Sequence, residues 1–284
     1  MSSFFVPYDR NCHPEKNEWD GYKLILPCIS VGNVPQLSID LLINRFLTDS
    51  GNDLELIGYL QSKYVRPFAG PDPFRLEGNL LSTSMQVFVS KRKKLVLIQQ
   101  RSPIYKEYRD DFYREMFAWL SRHRFALVIV LSSTFDQFLA PEYVVDQRGI
   151  PIMYLSNEHL KDVTKCFLSE KLAIKPVMKM DPDSMRPSEN GKIHLPGSGS
   201  ARSFLRHSMQ QPMLCLVMYC SEGDNRHHSF YFADRIADIL NSDNDCIVEK
   251  SDEELAGLYR NPYRWIEPFS WRMMFGDEPP PEMY

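Results

Sequence analysis

Apolar runs of strand length alternate along this chain with segments whose apolar positions recur every three to four residues. Residues 22–29 (YKLILPCI) and 126–132 (ALVIVLS) are nearly unbroken apolar runs, the pattern of strands covered on both faces. Residues 213–220 (MLCLVMYC) have the same character. Residues 85–90 and 95–100 predict two strands joined by the basic turn Lys91-Arg92-Lys93-Lys94, and residues 151–155 another short strand. Between the strands, Leu37, Leu41, Leu42 and Phe46 lie on overlapping faces of a helix over 36–47, with Pro35 suited to its first turn. Phe112, Met116, Phe117 and Leu120 mark a second helix; Phe230, Ala233, Ile236, Ala237 and Leu240 mark a third over 229–240. Strands alternating with helices imply βαβ units and right-handed crossovers. The expected fold is α/β: a single three-layer α/β/α domain over 1–264 with a mostly parallel central sheet, and an extended C-terminal tail over 265–284.

Two stretches break the pattern without dividing the domain. Residues 178–192 are polar with two prolines, and 241–254 carry six acids against one lysine, so both are expected to be surface insertions. The tail differs from the body. Its first part, WIEPFSWRMMF, is aromatic, so Trp265, Trp271 and Phe275 are expected either in the core or against a partner. Pro279-Pro280-Pro281 then favours an extended polyproline conformation that holds Met283-Tyr284 away from the body.

Composition narrows the function classes. A net charge of −4 over 284 residues argues against a dedicated nucleic-acid or membrane-surface protein. The N-terminus has neither a basic leader nor a long apolar segment, and the longest aliphatic run, 126–131, is far shorter than a membrane span. Six scattered cysteines form no CxxC pair; Cys28, Cys215 and Cys220 sit in or at the end of apolar runs, where a thiol serves as a small core hydrophobe. A cytoplasmic or nuclear location is expected.

No GxSxG, HExxH, GxxxxGK[ST] or GxGxxG motif is present. The nearest phosphate cradle is the loop around Pro196, Gly197, Ser198, Gly199 and Ser200, whose simpler reading is a turn from strand to helix. Glu222 and Asp224 follow the strand 213–220, where open α/β sheets bind ligands, with His227 and His228 beside them. EGDN is good turn chemistry, and adjacent histidines seldom converge on one metal. Ser132-Ser133 has no assignable base. The Lys91–Lys94 cluster is expected to be a charged hairpin turn. No catalytic, cofactor or metal site is assigned. The competing expectation is a phosphorylase- or hydrolase-like enzyme acting on a phosphorylated small molecule, which needs the 197–200 and 222–224 loops to meet in one pocket with a shifted acid.

Four segments, in order, carry a family resemblance: LPCISVGNVPQLSIDLL (26–42); KLVLIQQRS (94–102) with ALVIVLSS (126–133); LPGSGSARSFL (195–205) with CSEGDN (220–225); and SWRMMFG (270–276) before the prolines. Together the chain resembles the proteasome assembly chaperone family, in particular its second subunit. The resemblance implies a non-enzyme that pairs with a sister chaperone subunit, binds 20S proteasome α-subunits, promotes the seven-membered α-ring and blocks off-pathway dimers. It also implies C-terminal insertion between α-subunits. Here the tyrosine is last rather than penultimate, which displaces the carboxylate by ~3.5 Å and implies ring contact without gate opening. The protein-binding residues expected on this basis are Met283, Tyr284, Pro280 and Phe275 in the tail, Gly32 and Asn33, Gly197, and Glu222 and Asp224.

Overall fold

A computed structural model of the chain describes residues 4–9, 18–48, 54–75, 80–139, 150–180, 188, 190–241 and 265–273. The tail residues Phe275, Pro280, Met283 and Tyr284 and almost all of the acidic stretch 241–254 lie outside them. Among these residues, nine strands form one sheet: β1 (Phe5–Pro7), β2 (Lys23–Pro27), β3 (Leu54–Leu60), β6 (Met85–Ser90), β7 (Leu95–Gln100), β8 (Leu127–Phe135), β9 (Ile152–Ser156), β10 (Lys175–Pro176) and β11 (Met213–Cys220). Their spatial order is β1-β3-β6-β7-β2-β8-β11-β9-β10, and a separate two-stranded ribbon pairs β4 (Ala69–Pro71) with β5 (Leu81–Thr83). The centre, β7-β2-β8-β11, is parallel throughout. On one side β6, β3 and β1 add antiparallel strands; on the other, β9 runs antiparallel to β11 and β10 parallel to β9.

Alternation along each central strand sends side chains into two cores, as the period of two requires. Leu24, Leu26, Val96, Ile98, Val128, Val130, Cys215 and Val217 face one side. There they meet Phe112, Met116 and Leu120 of α2 (Arg109–Leu120) and Phe204 of α4 (Ala201–His207). Ile25, Leu95, Leu97, Ile129, Leu131, Leu214 and Leu216 face the other, against Ile39, Leu42 and Ile43 of α1 (Val34–Thr48) and Phe232, Ile236 and Ile239 of α5 (Arg226–Asn241). A short helix α3 (Asp162–Cys166) runs into a π-turn at Phe167–Lys171 whose Leu168 joins this second core. The three layers expected from the doubly buried strands are therefore present.

Residues 265–273 cross the outside of the α1–α5 layer. Trp271, 1% exposed, packs with Leu37, Leu41 and Ala233. The Trp265 indole donates to Asp234 at 2.6 Å, and Asn44 donates from its amide to the Ile266 carbonyl at 2.8 Å. The 178–192 stretch is pinned at its base, where Met180 and Lys192 form a two-bond antiparallel bridge. The Lys91–Lys94 turn is exposed on all four residues and closed by Lys94 at a φ of 47°. Helix α5 starts three residues before the expected position because Asn225 and Asp224 cap its first turn: the Ser229 hydroxyl and amide both donate to the Asn225 carbonyl, and the Arg226 amide donates to Asp224.

Candidate functional site

Parallel strands β2, β8 and β11 end on the same edge of the sheet, so the loops that follow them are neighbours. The three loops singled out in the sequence meet there. Residues Val31–Asn33 form a tight turn in which Gly32 and Asn33 both adopt left-handed backbone (φ 65° and 53°). That geometry brings the Gly32 Cα against the 221–225 loop: a Cβ at this position would lie 2.3 Å from Asn225 Nδ2 and 3.3 Å from the Ser221 carbonyl. Gly197, also left-handed, sits against Val31 and the Phe135 ring, and its carbonyl accepts from the Val31 amide at 3.2 Å. Between the loops lies an open cavity of about 530 Å³ lined by Ile29, Ser30, Val31, Gly32, Asn33, Leu37, Phe135, Gly197, Glu222 and Gly223.

The polar groups beneath this cavity are committed to holding the loops. The Ser132 hydroxyl donates to the Ser198 carbonyl at 2.9 Å, and the Thr134 hydroxyl to the Pro196 carbonyl at 2.7 Å. Ser133 donates to the Val31 carbonyl at 2.6 Å and lies 2.8 Å from the Ser30 hydroxyl, which accepts from the Ser133 amide. Asn225, buried, donates from its amide to the Ser221 and Gly223 carbonyls at 2.9 and 3.2 Å. The Cys220 thiol points at the Val31 carbonyl, and burial pushes its pKa up to about 11, leaving it protonated at neutral pH. Burial has the same effect on Cys28, raised to about 12, and on Cys215, raised well above the ordinary thiol value. These three thiols are core packing groups, as their apolar runs predict.

Acid–base chemistry finds little support in this geometry. Asp224 is held below the ordinary carboxylate range by Arg226, which donates to both its oxygens at 2.7–3.1 Å. This is opposite to the raised pKa a general acid requires. Among the described residues, the hydrogen-bond partners of Ser132, Ser133 and Cys220 are backbone carbonyls and serine hydroxyls, with no base among them. His227 and His228 face each other with ring centroids 4.0 Å apart. Burial first, and His227 second, lower the pKa of His228. Among the described residues, no group of three or more His, Cys, Asp and Glu side chains is placed to hold a metal ion. Thus Gly197 of one loop and Glu222 and Gly223 of the other do share one pocket, but Asp224, paired with Arg226, is not among its lining residues and is shifted down rather than up. What remains is a shaped rim: apolar in Val31, Leu37 and Phe135, acidic at the exposed Glu222, and braced from below.

Phe135, Leu37 and Ser30 join the expected rim residues Gly32, Asn33, Gly197 and Glu222. The sequence signal for Phe135 was its place just past an apolar run, at the strand end where ligands bind. Met283, Tyr284, Pro280 and Phe275 lie outside the described residues. Among those residues, no helix is long and apolar enough to cross a membrane.

Comparison with known proteins fits this arrangement. Proteasome assembly chaperone 2 of Nematostella vectensis is 33% identical over 231 residues, covering 78% of this chain and 89% of its own. The Xenopus laevis protein of the same name is 29% identical and aligns over 92% of this chain and 94% of its own. In fold, the chain is similar to Pyrococcus furiosus PbaA, an archaeal homolog of proteasome-assembly chaperone, with a TM-score of 0.54 at 14% identity over 84% of this chain and 87% of that one. The model of the PAC2 family matches residues 24–188, more than half of the sequence, and the chain therefore belongs to the PAC2 family.

Proposed function

We propose that this chain is a subunit of a proteasome assembly chaperone. It pairs with a sister subunit of related fold, and the pair binds α-subunits of the 20S core particle, promotes the α-ring and blocks off-pathway association. The observation that carries this reading is the 33% identity to a protein named proteasome assembly chaperone 2 across most of both chains. The geometry supports it in kind: three loops braced by buried serines, threonine and asparagine offer a pre-organised rim for another protein, and the hydroxyls that a nucleophilic reaction would need are engaged with backbone. The Gly32–Asn33, Gly197 and Glu222–Asp224 loops contribute to protein binding in this reading, in the cytoplasm and nucleus.

The test is affinity purification of the tagged full-length chain from cells at mild salt, followed by mass spectrometry. Recovery of one homologous partner with free α-subunits and few mature β-subunits is the expected result. Recovery of neither partner class would overturn the proposal and turn attention to phosphorylated small molecules as ligands of the cavity.

A further inference from the structure

A second feature lies away from the three-loop rim. Residues 64–66 run antiparallel to 103–105: Val65 bridges Ile104, the Tyr105 amide donates to the Tyr64 carbonyl at 2.9 Å, and the Arg66 amide donates to the Pro103 carbonyl at 3.0 Å. This pairing gathers aromatic side chains at the surface. Tyr64 and Tyr108 stack with ring centroids 5.6 Å apart, and Tyr108 is 50% exposed. Phe68, 42% exposed, follows four residues along the same segment and leads into the β4–β5 ribbon, where Leu81 is 59% exposed. The charges around it are mixed, with cations in excess. Lys63 lies 5.0 Å from the Tyr64 ring centre and Arg66 5.7 Å from that of Tyr105; Lys106 and Arg109 are exposed beside Glu107 and Asp110. Stacked aromatic rings edged by cations suit an extended proline-rich segment that carries acids.

Such a segment is tethered nearby. The Ser270 amide donates to the Pro73 carbonyl at 3.2 Å, so residues 265–273 reach the same loop that begins at Phe68. From there the sequence runs on through Asp277-Glu278-Pro279-Pro280-Pro281-Glu282-Met283-Tyr284: three acids flank three prolines, with an aromatic residue beyond. At ~3.1 Å per residue in polyproline conformation, the eleven residues 274–284 can span about 34 Å. Phe68 lies at most ~17 Å of chain from Pro73, and Tyr64 at most ~31 Å. Reach, charge and ring chemistry therefore agree.

We propose that the Tyr64–Phe68–Tyr108 patch is the docking site for this chain's own segment 277–284. In that state the tail is sheltered on the body, and a binding partner must compete for it. The inference rests on the patch and its tether and stands apart from the chaperone reading.

The test is photo-crosslinking in cells with p-benzoylphenylalanine at position 68 of the full-length chain. Mass-spectrometric mapping should find crosslinks within one chain to residues 277–284. Their yield should fall by about tenfold with Tyr108→Ser, the scale of one lost aromatic anchor, and similarly with Glu278→Lys combined with Glu282→Lys. The tail variant changes no residue of the described body, so it decides the matter even if Tyr108→Ser perturbs folding. Crosslinks of doubled mass would assign the patch to a second copy and overturn the proposal. So would a dominant crosslink to another protein, no crosslink to 277–284, or yields unchanged by the tail variant.

Discussion

Replacing Gly32 by alanine tests the packing of the three-loop junction. The residue has a φ of 65°, where an L side chain costs ~1–2 kcal/mol of backbone strain. Its added Cβ would also lie 2.3 Å from Asn225 Nδ2 and 2.9 Å from Asn225 Cγ, so the Asn225 side chain must leave its position. That position is where it donates to Ser221 and Gly223 inside a buried pocket. Losing both bonds costs about 1–3 kcal/mol, which brings the expected destabilisation of Gly32→Ala to about 2–5 kcal/mol. Asn225→Ala alone loses the bonds but removes the obstacle. In its background Gly32→Ala should therefore cost only the ~1–2 kcal/mol of strain, a coupling of about 1–3 kcal/mol. Urea denaturation of the four proteins measures this cycle directly. Additivity within about 0.5 kcal/mol, or a single-variant cost below that, would refute the claim that these two loops interlock.

Four further outcomes are expected. Trp271→Ala should destabilise the chain by about 3–5 kcal/mol in the same assay, because the indole is buried between α1 and α5; a loss under 1 kcal/mol would mean that 265–273 is not docked. Ser133→Ala should cost about 0.5–1.5 kcal/mol by removing the hydroxyl donor of the Val31 carbonyl and leaving it the weaker Cys220 thiol at 3.7 Å, and an unchanged unfolding midpoint would contradict the bracing role given to this hydroxyl. His123, stacked 4.4 Å from Trp19, has its pKa lowered by burial from 6.5 to about 4, so the unfolded chain binds the extra proton between these values. Stability should fall as pH drops from 6.5 toward 4, and His123→Gln should flatten that slope; identical slopes would oppose the assignment. Asp224, held low chiefly by Arg226, adds stability above its ordinary pKa of 3.8 and loses it as pH falls below that value. The pair is half exposed, so Asp224→Asn should change stability by under about 1 kcal/mol at pH 7; a larger effect would point to an additional partner for Asp224.

The centre of the sheet is legible in the sequence because strands covered on both faces must be apolar at every position. The runs 85–90, 95–100 and 213–220 coincide with β6, β7 and β11 to the residue. The flanks are not legible for the complementary reason. β3 alternates only partly, with Glu55 exposed, and breaks its register between Leu56 and Gly58. Gly58 is there because the Val6 carbonyl of β1 would lie 2.4 Å from any Cβ, a constraint invisible without the partner strand. The antiparallel direction of β9 likewise depends on where the chain re-enters the sheet, which short-range pattern does not record. At the candidate site, the loops stand out through glycine and turn residues, but their convergence follows from strand order. Phe135 therefore goes unmarked in the sequence, and Ser132-Ser133 stands out only as a pair without a base, not as part of one assembly.

The position of β11 has a consequence for how the chain is made. Residues 213–220 lie between β8 and β9, both of which precede them in the sequence. On a ribosome, the β8 edge must wait for about 85 residues to be added after Phe135, roughly 4–17 s at typical synthesis rates. During that interval a nine-residue strand with eight buried positions has no neighbour on one side, an open template for pairing with another nascent chain. This protein is therefore most exposed to aggregation while it is two-thirds synthesised, and slowing translation across 136–212 should lower its soluble yield.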